Sequence, residues 1–161
     1  MNKFKKMNKF VTITLLFFTI VTFSQTQEET LGWITRNSDG REQAYYNEED
    51  GTLHLLAVRQ AGNLLTTFVN EINPKDVKSI SVKYGNDGWN SINLNFKSSG
   101  STVEYYTVDK NFEIIGEVKN INQYGINISI ESDRELIDSF KKAYIHLFKT
   151  IGIEVKDGNM F

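Results

Sequence analysis

His54 and His146 are the two side chains whose ordinary titration falls near neutral pH, so any acid–base or metal chemistry at that pH would begin with them. They lie in different halves of the chain and outside any H-E-x-x-H arrangement, and no metal site is expected from them. His146 falls on the polar face of a helical pattern, where it would meet the negative end of the helix dipole. His54 falls in a strand-like segment, with wet face and interior both open to it. Asp-Gly pairs at 39, 50, 87 and 157 invite a calcium-loop reading. With glycine at loop position six such a loop needs acids at positions one and twelve, and the first two pairs supply Thr35 with Tyr46 and Tyr46 with Ala57. That reading fails. No G-x-S-x-G, G-x-G-x-x-G or G-x-x-x-x-G-K-[ST] occurs, so no nucleophile elbow or phosphate cradle is expected, and neither a catalytic residue nor a cofactor is named. Aromatic side chains remain. Trp89 follows a tight turn and is expected at a rim, while a period of two sends Tyr105 and Tyr106 to opposite faces, one into the core and the other outside or inside a cavity. Trp89 with one of Tyr105 and Tyr106 is the expected contact set, because such rings are enriched in interface hot spots.

Composition narrows the classes further. The 161 residues hold 18 Lys plus Arg against 20 Asp plus Glu, one proline and no cysteine. Without Cys there are no disulfides, thiolate nucleophiles or Cys-ligated metals. The basic residues are scattered, and a nucleic-acid binder needs them gathered into a stripe that displaces counterions, so no nucleic-acid partner is expected. At the start, Lys3, Lys5, Lys6 and Lys9 precede an uncharged apolar run from Phe10 to Phe23, which reads as an export signal cut after Ser24. The run is shorter than the roughly 20 apolar residues of a membrane span, so no integral anchor is expected after cleavage. Losing four lysines and no acid leaves 14 basic against 20 acidic residues, a net charge of −6. The expected destination is the periplasm or the exterior.

Thr26 and Glu29 have capping-box spacing ahead of Leu31 and Ile34, which predicts a short helix over 27 to 36, with Trp33 as a lid on the core. From there to residue 131 turn chemistry recurs at Asp50-Gly51, Gly62-Asn63, Asn73-Pro74, Gly85 to Gly88, Ser98 to Ser101, Asp109 to Asn111 and Asn120 to Gln123. Between the turns lie strand patterns. Ile80 and Val82, then Ile92, Leu94 and Phe96, then Ile126, Ile128 and Ile130 alternate with polar residues, and 53 to 60, 63 to 70, 101 to 108 and 111 to 119 are rich in β-formers. A weaker eighth strand covers 43 to 46. Short loops favour a meander of hairpins, because parallel neighbours need crossovers of about a dozen residues. Finally Leu136, Ile137, Phe140, Ala143, Tyr144, Leu147, Phe148 and Ile151 recur at helical spacing behind a second capping box at Ser132 and Glu135, with Gly152 as the stop.

The expected architecture is mainly β: a seven- or eight-stranded antiparallel bent sandwich or barrel closed by one amphipathic C-terminal helix. Residues 1–24 are the signal, 25–40 the first helix and turn, 41–152 the sandwich with its helix, and 153–161 a tail. That order of elements resembles the pleckstrin-homology-like superfold. Thr30-Leu31-Gly32-Trp33-Ile34, Phe140-Lys141-Lys142-Ala143-Tyr144-Ile145-His146-Leu147-Phe148-Lys149 and the Thr22-Phe23-Ser24-Gln25 junction are similar to segments of small exported, uncharacterised proteins of Bacteroidota. Phosphoinositide-binding members of the superfold carry several Lys and Arg in the first hairpin, whereas residues 53 to 70 offer Arg59 alone, so lipid-phosphate binding is not implied. The reading that follows is an exported non-catalytic interaction module for a protein or envelope component. A lipocalin-like carrier of a small apolar ligand is the alternative, and a hydrolase stands third.

Overall fold

The computed structural model describes residues 25–61, 64–85, 88–98 and 101–159. The expected signal and the Gly62-Asn63 turn lie outside the described residues. Helix α1 (Gln27–Asn37) starts on the anticipated capping box: Thr26 Oγ1 accepts from the Glu29 amide at 3.1 Å, and the Glu29 carboxylate accepts from the Thr26 amide at 2.8 Å. Its buried residues are Thr30 and Ile34, and Trp33 packs edge-on against Phe140 with ring centroids 5.1 Å apart.

The strands are β1 (Glu42–Asn47), β2 (Thr52–Ala61), β3 (Leu64–Ile72), β4 (Val77–Lys83), β5 (Trp89–Phe96), β6 (Ser101–Val108), β7 (Ile114–Gln123) and β8 (Gly125–Glu131). They form two sheets, one ordered β1-β2-β3-β6-β7 and the other β8-β5-β4 with a short ninth strand, β9 (Lys156–Asp157), at its edge. The chain is therefore an antiparallel sandwich, as the alternation requires, but not a simple meander. It passes between sheets after β3, β5 and β7, so that β6 pairs with β3 and β8 pairs with β5. Turn residues mark where the chain changes direction. They do not say whether it returns within one sheet or arches to the facing one.

Alternating residues behave as a period of two demands. Ile80 and Val82 of β4 lie opposite Leu94 and Ile92 of β5, and Ile92 lies opposite Ile128 of β8, all of them buried. Leu53, Leu55 and Ile72 line the other sheet's side of the same core. Into it helix α2 (Arg134–Thr150) presents Ile137, Phe140, Tyr144, Leu147 and Phe148, each at most 1% exposed. Gly152 follows the helix at φ +77°, the left-handed stop that its position suggests.

Three local expectations are corrected. The N-cap of α2 is Asp133, whose carboxylate accepts from the Leu136 amide at 2.7 Å, while Ser132 donates to the Ile130 carbonyl and no Ser132–Glu135 box forms. The turn expected at Asn120 to Gln123 is strand, because β7 runs on through it. Part of the expected tail is β9, pairing parallel with β4. The Asn159 side chain extends that pairing by accepting from Val82 N at 2.6 Å and donating to Val82 O at 3.0 Å.

Candidate functional site

Where the start of β1 approaches the end of β8, the two sheets leave a groove of about 1160 Å³. Its walls come from Asn37 at the end of α1, the turn from Ser38 to Arg41, Glu42 of β1, Val58 to Gln60 of β2, Leu65 of β3, Gly88 and Trp89 at the head of β5, and Ser129 to Ser132. The chain turns into this region through Asp39 at φ +53° and Gly40 at φ +74°, a left-handed pair that suits short polar and glycine residues. Ser38 holds the turn, donating from Oγ to the Glu42 carbonyl at 2.9 Å and accepting from the Glu42 amide at 3.1 Å. Opposite, Asn90 donates to the Ser132 carbonyl at 2.7 Å and accepts from Gly85 N at 3.0 Å. Both walls are thus tied by side-chain-to-backbone hydrogen bonds.

Two ion pairs line the groove. Arg59 Nη2 lies 2.8 Å from Glu42 Oε1, and Arg41 Nη1 lies 3.5 Å from Glu131 Oε2 across the two sheets. Trp89, opposite Glu131 in the register, is 46% exposed beside this polar frame.

Glu42 is buried, and burial pushes its carboxyl above the usual carboxylate range, opposed by Arg59. Folding then favours the protonated acid. This contribution to stability is present below the ordinary carboxylate value and is lost as pH rises through the raised one. Glu42→Gln keeps an acceptor for Arg59 and removes the buried charge. It is expected to stabilise the protein at pH 7 by about 1 kcal/mol, the common scale of one substitution, and to make little difference near pH 4. Thermal melts at both pH values check this, and a loss at pH 7 would contradict it.

A second polar cluster lies on the face of the larger sheet that carries His54. Asp50 Oδ1 accepts from Thr52 Oγ1 at 2.6 Å, Thr52 Oγ1 lies 3.0 Å from His54 Nε2, and His54 Nδ1 lies 3.3 Å from the Tyr106 hydroxyl and 3.7 Å from Glu71. Tyr106 donates to Glu71 at 3.5 Å, and burial, then Glu71, raises its hydroxyl above the ordinary tyrosine value. Thr52 has one hydroxyl proton and gives it to Asp50, so the facing nitrogen of His54 is the donor of that pair. In the neutral ring that leaves Nδ1 as the acceptor facing the Tyr106 hydroxyl, and the arrangement joins β2, β3 and β6.

The expected contact residues are dispersed. Trp89 lines the groove; Tyr106 belongs to the His54 cluster; Tyr105 stacks on Phe68 with centroids 6.1 Å apart. The two tyrosines do face opposite ways, opposite Asn70 and Val69 of β3, but both are half-buried and neither joins the core, against the expectation that one would. The β6 residue that joins the core is Val103, two positions before Tyr105. Arg41, Arg59 and Glu42 were missed as groove residues because their pairing joins segments far apart in sequence. His146 Nε2 lies 3.0 Å from the Gln25 carbonyl, beside a cavity of about 360 Å³ with Trp33 and Lys142. Among the described residues no group of three or more His, Asp or Glu could hold a metal, and no helix is long and apolar enough to cross a membrane. No family model matches this sequence, and neither a curated protein nor a solved structure matches the chain.

Proposed function

We propose that the chain is an exported, non-catalytic interaction module that holds a protein or envelope component in the groove beside Trp89. Export rests on the lysine-flanked apolar run ahead of Gln25. The observation that carries the binding role is Trp89 itself, a large ring 46% exposed in a groove framed by two ion pairs. Such an anchor supplies contact area at low conformational cost. The carrier alternative is less favoured because the large side chains of α2 occupy the space between the sheets that a carried ligand would take. A hydrolase is less favoured because His54 lines neither the groove nor the cavity beside His146.

Trp89→Ala is expected to leave the melting temperature within a few degrees of wild type and to weaken capture of the partner from the source envelope by at least about tenfold. Captured protein, glycan and lipid would be identified together by mass spectrometry. A stability loss above about 3 kcal/mol would make Trp89 a packing residue, and unchanged capture would remove the groove from the interaction. Native mass spectrometry showing a lipid bound to the purified chain would favour the carrier.

A further inference from the structure

Strand β7 is bonded to β6 along one side, and among the described residues no strand pairs with its other side. Nine of its ten residues are exposed, Ile114 by 54%, Ile115 by 51%, Val118 by 44% and Ile121 by 38%. A long apolar edge with unpaired backbone donors and acceptors is a template for another strand. We propose that the strand it accepts is β7 of a second copy, joined antiparallel about a two-fold axis at Val118.

The residue pattern selects this partner and this register. With Val118 on the axis, Glu117 of each copy stands opposite Lys119 of the other, giving two ion pairs, and Ile115 stands opposite Ile121 twice. Opposed residues must share a face, and they do. Ile115 pairs with Thr107 of β6 and Ile121 with Val103, four residues apart and so on one side of the sheet. Moving the axis by one residue toward either end opposes Glu117 to Glu117 or Lys119 to Lys119. Half-residue shifts set Glu117 against Val118 or Asn120 and lose the ion pairs, and the one that opposes Ile114 to Ile121 joins residues on opposite faces, since they pair with Val108 and Val103 of β6. The register shift between Tyr105 and Thr107, with Gly116 at φ +85°, places the bulge of β7 at the axis. The flanking segments therefore form the ladder, and the ion pairs bridge its middle. Two five-stranded sheets become one of ten strands.

Sedimentation velocity of the full-length chain, from about 1 to 100 µM, is expected to show a monomer giving way to a dimer, within the usual range of weak homodimers. K119E and E117K, each placing like charges opposite one another, should each raise the dissociation constant at least tenfold. The double variant E117K/K119E should return it to near wild type, and mixing the two single variants should yield a mixed dimer. Circular dichroism on the same exposed-site variants separates lost pairing from lost folding. A monomer at every concentration overturns the proposal, as does a dimer indifferent to these charges. A chain that gains mass only with envelope extract assigns the edge to a different partner and overturns it too.

Discussion

A chain ended after Ser132 loses its cooperative thermal transition. The cut removes α2 and with it Ile137, Phe140, Tyr144, Leu147 and Phe148, none more than 1% exposed. At about 1.5 to 3 kcal/mol for each large side chain, their transfer term is about 7 to 15 kcal/mol, comparable with the whole net stability of a domain, about 5 to 15 kcal/mol. Removing them also uncovers Ile80, Ile92 and Leu94, which share their cluster. Phe140→Ala tests the same point in the intact chain, with an expected loss of about 3 to 5 kcal/mol, because the ring leaves a cavity that Trp33 at its edge fills only in part. Urea titration followed by near- and far-ultraviolet circular dichroism measures both. A truncated chain that melts cooperatively as a monomer would show that the sheets hold their core without the helix.

Gly125→Ala is expected to cost about 3 kcal/mol, more than an exposed strand position would suggest. Gly125 opens β8 directly after the chain crosses from β7, opposite Asn95 of β5. A Cβ there would overlap the carbonyl oxygen of Leu94 and stand 3.3 Å from the Cα of Asn95. Both obstacles are backbone, so neither can swing aside. The requirement is closeness, not dihedral freedom, since Gly125 is not among the glycines at positive φ. Chemical denaturation of G125A reads the loss. A change below about 0.5 kcal/mol would mean that β8 shifts away from β5 without penalty.

Much of the fold could be read from local pattern. Ile126, Ile128 and Ile130 alternate with Asn127, Ser129 and Glu131, and the first set is buried as a half-wet strand requires. Thr26 with Glu29 was legible because all partners of a capping box lie within one turn. At α2 the spacing of Ser132 and Glu135 misled, because the next residue, Asp133, caps the helix instead. Asn120 to Gln123 carry turn chemistry but stand in an exposed edge strand, where polar side chains meet water without cost.

The candidate site was less legible. Trp89 at a rim followed from its place after a turn, but its neighbours come from the turn before β1 (Arg41), from β2 (Arg59) and from β3 (Leu65). The His54 cluster likewise joins Thr52, Glu71 and Tyr106 across three strands, and no spacing in the chain marks it.

Alternation, helical period and caps set which residues face inward and where strands and helices begin, because each depends on neighbours a few positions away. Strand order, the arch from β3 to β4, the insertion of β9 and the groove at Trp89 depend on how two twisted sheets stack and where the chain crosses between them. Those choices minimise exposed apolar area over the whole molecule, and no short window of residues carries that sum.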